Sequence, residues 1–271
     1  MRVPVSAVSA AGPCPGPRYC HAAPRRLASL DAGIARLTDR ERRQPANALL
    51  ARQIGTAIVR GDYAPGVTLP GELELADSTG VARSVVREAL RTLSAKGLIE
   101  SRRKAGTRVR ARAEWNLLDP ELLRWVFEGA PPLDFVRDLF ELRLIVEPGA
   151  AEVAAGQRTP SQLSRMGHAL ETMVERGLKT EDGQAADQQF HAVLLEATHN
   201  QLIVSLSATI AAAVRWTTYF KYQRQRHPRD PMPQHRVLFE AIAEGRGGAA
   251  RDAAAALIRQ ALEDTEASLI A

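Results

Sequence analysis

The sequence predicts a mainly α-helical protein in two parts, an N-terminal winged helix-turn-helix followed by an all-α antiparallel helical bundle. Three observations carry that expectation. Aromatic residues make up 5% of the 271-residue chain, and alternating Val/Ile/Thr-rich stretches are nearly absent while alanine and leucine recur throughout, so strands should be few. The length exceeds one small domain and suits two of modest size, each burying its own core. Charge divides the chain in the same way: residues 45–112 carry 12 Lys+Arg against 6 acids, whereas 113–271 carry 16 against 22. A basic unit ahead of an acidic one points to different partners, a polyanion such as DNA for the first and something else for the second.

Residues 1–44 hold Pro4, Pro13, Pro15, Pro17 and Pro24 and show no sustained apolar period. They read as a disordered extension or as a start codon set too early. Cys14 and Cys20, the only cysteines, both lie there, so neither a disulfide framework nor a thiolate metal site is expected. No run approaches ~18 uninterrupted apolar residues, which argues against a membrane span and for a cytoplasmic protein.

The winged unit is expected over 45–112. From Ala46, Leu50, Ile54, Ala57 and Ile58 recur at helical spacing until Gly61. After the turn Pro65-Gly66-Val67-Thr68-Leu69-Pro70, a short helix runs from Glu72 to Ser78 and stops at Thr79-Gly80. A third helix buries Val86, Ala89, Leu90 and Leu93 and closes at Lys96-Gly97. Two short strands, Leu98 to Glu100 and Thr107 to Arg110, flank a basic hairpin and make the wing. At ~100° per residue the third helix leaves Arg83, Ser84, Arg87 and Arg91 together on one flank. An arginine fork suits guanine edges or phosphates, and Ser84 lies near the helix N-terminus where a phosphate is favoured. Arg102, Arg103 and Lys104, with Gly106 near the hairpin tip, supply backbone or minor-groove contacts. The plain alternative for the third helix is a charged, solvated face.

A linker over 113–120 leads into 121–271, where breaks at Gly129 to Pro132, Gly156 to Pro160, Lys179 to Gly183, Pro228 to Pro233 and Gly245 to Gly248 separate six or seven amphipathic helices. Arg143 interrupts the apolar stripe Val136, Leu139, Val146 and Ala150. A buried guanidinium needs an anion, which is either a protein carboxylate or the carboxylate of a ligand. Asp187 and His191 stand four apart, in line with Leu194 and Thr198, and His235 heads a stripe with Leu238 and Ile242. One oxygen and two nitrogen donors suit zinc or a similar divalent ion, or else these are hydrogen-bonded core residues.

The segments Leu69-Pro70-Gly71-Glu72-Leu73-Glu74-Leu75, Gly80-Val81-Ala82-Arg83, Val86-Arg87-Glu88-Ala89-Leu90, Lys96-Gly97-Leu98-Ile99 and Gly106-Thr107 resemble the GntR family of transcription regulators. Leu73, Ala82 and Lys104 depart from the arginine, Thr/Ser and glycine usual there. The resemblance implies operator contacts by Arg83, Ser84, Arg87 and the wing tip. Glu141-Leu142-Arg143 with Glu147, Asp187-x-x-x-His191, Asn200, and His235 with Ala241-Ile242 resemble the family's FadR-type ligand domain, a dimerising bundle around an effector. In metal-binding relatives the positions of Asp187, His191 and His235 are ligands, and a further histidine falls where this chain has Leu257. Trp115 to Asp119 and Leu123 to Val126 resemble a subgroup that controls galactonate operons. That subgroup implies a sugar-acid effector held by Arg143, with hydroxyls reaching Asp187, His191, His235 and Asn200.

The expected protein is a homodimeric repressor on a pseudo-palindromic operator, its recognition helices ~34 Å apart. Two rivals are a hydrolase with a catalytic zinc on Asp187, His191 and His235, and an architectural DNA-binding protein without an effector. The first lacks an evident general base, and the second leaves Arg143 unexplained.

Overall fold

The computed structural model describes residues 45–102, 106–128, 131–225 and 228–270. Residues 1–44, Arg103 and Lys104 lie outside the described residues. Eleven α-helices and one two-stranded antiparallel sheet make up the described regular structure, with a short 3-10 turn at Arg112–Glu114.

The first unit contains α1 (Ala46–Arg60), α2 (Glu72–Thr79) and α3 (Arg83–Ala95), then β1 (Ile99–Arg102) and β2 (Gly106–Val109). Gly80 takes φ +67° between α2 and α3, a left-handed conformation that lets one helix end and the next start within three residues. Leu50, Ile54, Ile58, Leu75, Val86, Ala89, Leu90 and Leu93 close one core beneath the three helices. In the wing, Ile99 faces Val109 and Arg102 faces Gly106. The segment read as a plain turn is part of this wing: Thr68 bridges Arg108, and Leu69 N–H donates to Thr107 O at 2.8 Å. A single bridge is too short to leave a period in the sequence.

The bundle comprises α4 (Pro120–Phe127), α5 (Leu133–Gln157), α6 (Pro160–Arg176), α7 (Glu181–Glu196), α8 (Gln201–Ser205), α9 (Ser207–Arg224), α10 (Met232–Ala243) and α11 (Gly247–Ile270). That is eight helices rather than six or seven. The addition is the five-residue α8, begun by Asn200, whose side chain accepts from Leu202 N and Ile203 N. At Gly183 a Cβ would lie 2.1 Å from Gly177 O, so the α6–α7 turn presses directly on α7 one turn before Asp187.

Helix α4 is shared by the two halves. Asp119 caps it, accepting from Glu121 N and Leu122 N. Leu122 and Trp125 enter the winged core, whereas Leu123, Val126 and Phe127 pack with Phe135, Phe140, Ala213 and Phe220 of the bundle. Trp125 is fully buried against Gly55, where a Cβ would sit 2.4 Å from the indole ring. Lys96, at the end of α3, pairs with Asp119 at 2.8 Å and with Glu121 at 2.9 Å. The end of α3 is therefore tied to the start of α4.

Candidate functional site

Arg83, Ser84, Arg87 and Arg91 are all exposed on one side of α3. Ala82 precedes the helix and offers no side-chain acceptor, so the first-turn N–H groups receive no side-chain cap. Arg87 reaches Glu72 at 3.3 Å and Arg91 reaches Glu88 at 2.7 Å, both exposed pairs of the kind worth ~0–1 kcal/mol. Phosphates can displace such partners at little cost. Arg102, beside Glu100 at 3.1 Å, and Gly106, with φ +80°, stand at the two ends of the wing hairpin.

The second constellation is buried between α5, α7 and α10. Arg143 Nε donates to Glu147 Oε1 at 2.6 Å, and His191 Nδ1 meets Glu147 Oε2 at 2.5 Å. His235 Nε2 lies 3.2 Å, and His191 Nε2 3.6 Å, from Asp187 Oδ1. Thr218 Oγ1 donates to Asp187 Oδ2 at 3.3 Å. Of the two origins left open for the anion beside Arg143, the folded chain supplies the protein carboxylate, Glu147, one helical turn away.

His191 Nδ1 is paired with the Glu147 carboxylate, and His235 Nδ1 with Pro231 O at 3.0 Å, so each ring presents its Nε2 toward Asp187. Burial raises the pKa of Glu147, but Arg143 and His191 more than offset it and hold the carboxyl at about 2. Burial likewise opposes ionisation of Asp187, and the hydrogen bond from His235 with the charges of His191 and Arg143 brings it below its ordinary value.

One ligand atom from each of Asp187, His191 and His235 lies within 4.8 Å of the other two. Both Nδ1 atoms are already engaged by a carboxylate or a carbonyl, the outer arrangement that orients imidazoles toward a metal. The donor set fits a zinc-like divalent ion with three protein ligands. Leu257 is buried in the core and adds no fourth. Asn200 does not join this cluster: it is exposed, and its carbonyl oxygen is spent capping α8.

Residues 48–109 match the bacterial regulatory proteins of the gntR family, and residues 138–260 match the FCD domain. The galactonate operon transcriptional repressor of Escherichia coli K12 is 34% identical over 206 residues, covering 76% of this chain and 90% of that protein. This chain belongs to the GntR family. The HTH-type regulator LutR of Bacillus subtilis is 31% identical over 201 residues, covering 72% of this chain and 90% of its own length. A solved structure of Lar from Listeria monocytogenes shares the fold, with TM-score 0.59 at 17% identity over 83% of this chain and 98% of that one.

The chain is thus a DNA-binding transcription regulator of the FadR type, with a GntR winged head and an FCD domain. No helix among the described residues is long and apolar enough to cross a membrane. Within this GntR-family architecture, the Glu147 carboxylate that joins Arg143 to His191 carried a readable signal, since i and i+4 share a helix face. Thr218 on α9, which donates to Asp187, and the buried pair of Lys221 on α9 with Asp264 on α11 were not singled out by the sequence. Their helices mix small, polar and apolar residues without one clear stripe.

Proposed function

We propose that this regulator is a repressor that binds a pseudo-palindromic operator as a homodimer and releases it when a small carboxylate, such as a sugar acid, enters the Arg143–Asp187 cluster. The observation that carries the reading is the cluster itself: a buried guanidinium and two imidazoles converge in the interior of the bundle. Among the described residues, Glu147 engages only Nε of Arg143. The remaining nitrogens keep donors for a ligand carboxylate, which arginine recognises with parallel hydrogen bonds. Names of relatives add support, since they refer to a galactonate operon and to an L-lactate dehydrogenase operon.

Asp187, His191 and His235 would hold a divalent ion, which when bound offers a Lewis-acid contact for an effector oxygen. The protein's own groups supply the rest. Arg143 orients the carboxylate, Glu147 keeps both Arg143 and His191 in place, and Asp187 takes its share of hydroxyl or metal. On the DNA side, Arg83, Arg87 and Arg91 read or clamp the major groove, and Ser84 with the uncapped N-terminus of α3 receives a phosphate. Arg102, Arg103, Lys104 and Gly106 lay the wing along the backbone.

Coupling runs through packed elements. Asp187 meets Thr218 on α9, Thr209 on the same helix donates to Leu118 O at 2.6 Å, and Phe220 packs edge-on against Phe127 of α4. From α4, Asp119 and Glu121 grip Lys96 at the end of α3. An effector that favours one setting of α9 therefore moves the reading head. A coupling of ~1–3 kcal/mol releases DNA several-fold to about a hundredfold.

The test is binding of the purified chain to its own upstream DNA, titrated with galactonate and related sugar acids, with and without a chelator. Two protected half-sites about one turn (~34 Å) apart, lost on addition of one acid, are the expected result. Specific binding that no carboxylate alters would leave the DNA-reading half standing and remove the sensor.

A further inference from the structure

Beside the Arg143–Asp187 cluster lies a second buried polar group contributed by α9, α10 and α11. Lys221 and Asp264 are buried, and Lys221 Nζ stands 3.7 Å from Asp264 Oδ2, beyond hydrogen-bond range. Gln234 Nε2 donates to Gln260 Oε1 at 2.5 Å. That bond uses only half of each amide. Gln234 Oε1, Gln260 Nε2 and Asp264 Oδ2 are buried atoms without a hydrogen-bond partner. Turning both amides over exchanges their roles and still leaves one donor and one acceptor unmet.

Gln260 and Asp264 stand four apart on α11 and share its buried face, and three such atoms there call for an explanation, because buried polar atoms in folded proteins are nearly always paired. The group is not isolated from the first cluster. Lys221 feels the charges of both Asp264 and Asp187, and its burial, the largest influence, holds its pKa below the ordinary value despite them. Gln234 directly precedes His235 on α10. Lys221 follows Thr218 by three residues on α9, and Thr218 donates to Asp187 at 3.3 Å, so the two polar groups adjoin along α9 and the start of α10.

We propose that Lys221, Gln234, Gln260 and Asp264 form the hydroxyl-reading end of the effector site, and that the effector is a polyhydroxylated carboxylate rather than a simple alkyl acid. This rests on the effector reading above and extends it to the ligand's chemical class. A hydroxyl both donates and accepts, which matches an unmet amide N–H, an unmet amide oxygen and an unmet carboxylate oxygen held close together. Lys221 adds a cation that donates only. An alkyl chain in the same place leaves all of them unsatisfied, and sites built to bond a hydroxyl reject analogues lacking it by large factors.

The experiment is calorimetric binding of D-galactonate, D-gluconate and hexanoate, acids of equal carbon number, to the full-length chain and to Gln260→Met and Asp264→Asn variants. Melting followed by circular dichroism establishes that each variant is folded. The wild-type chain is expected to bind at least one polyhydroxy acid about a hundredfold tighter than hexanoate, and Gln260→Met to shrink that ratio by about tenfold or more. Asp264→Asn, close in shape, gives the second reading if Gln260→Met fails to fold. Hexanoate binding as tightly as the sugar acids, or a ratio unmoved in the folded variants, overturns the hydroxyl-reading end and leaves the sensor intact. A wild-type chain that binds none of the three overturns both.

Discussion

Two buried polar groups adjoin in the bundle and differ in how their atoms are provisioned. Around Glu147 both carboxylate oxygens are bound, one by Arg143 and one by His191, and both histidines have their Nδ1 engaged. Around Gln260 and Asp264 the same interior holds three atoms with no hydrogen-bond partner, although the Asp264 carboxylate is ion-paired with Lys221 at 3.7 Å and with Arg229 at 3.4 Å. The first arrangement is preorganised, its geometry set before anything arrives. The second is left open at a standing cost to the free protein, which a ligand that completes its hydrogen bonds would remove. Preorganised charge next to unmet hydrogen bonds is what a site needs to anchor a carboxylate at one end and read hydroxyls at the other.

The contrast can be broken by mutation. Glu147→Ala should have the largest effect, about 3–5 kcal/mol of lost stability in urea unfolding, because it strands Arg143 and an imidazole in the interior. A loss under 1 kcal/mol would mean that the first group is not held as described. Next, zinc added at about a hundred times its dissociation constant should raise wild-type stability by about 2.7 kcal/mol. The same addition should raise Asp187→Ala and His235→Ala far less, as thermal melting would show. An equal rise in all three proteins would place the metal elsewhere.

The unprovisioned group should respond with the opposite sign. Leucine at both Gln234 and Gln260 removes an unmet donor and an unmet acceptor together, and the free protein should gain about 1 kcal/mol in chemical unfolding. A loss of several kcal/mol would show that those amides are satisfied in solution. Thr218→Val should be mildest, costing about 0.5–1.5 kcal/mol for one side-chain hydrogen bond to Asp187. Its more telling consequence is a weaker response of DNA binding to acid, since Thr218 is the contact from Asp187 onto α9.

Much of this molecule was legible in its sequence where periodicity and spacing act over one element. The apolar stripe of α3 exposes Arg83, Ser84, Arg87 and Arg91 as expected, and Arg143, Asp187, His191 and His235 are all buried, as their stripes predicted. What escaped depends on contacts between elements. Thr68 joins the wing through a single bridge. The stretch 113–120, read as a linker into the bundle, leads into α4, but no pattern showed that Trp125 faces one core while its neighbour Val126 faces the other. Asn200 matched a ligand position in the resemblance, yet a helix start nearby consumed its side chain. Lys221, Gln234, Gln260 and Asp264 come from three helices, and no spacing within one helix announces a group assembled across three.

The most direct test of the central claim is operator release by acid in the wild-type chain and in Arg143→Lys, which keeps a cation beside Glu147 but loses the planar fork. Fluorescence anisotropy of labelled upstream DNA, titrated with galactonate and related sugar acids, should show several-fold to about hundredfold weaker binding at saturation in the wild type. In Arg143→Lys the acid needed for release should rise by tenfold or more. Release by the same acid concentration in both proteins, or no release in either, would contradict an effector anchored at Arg143.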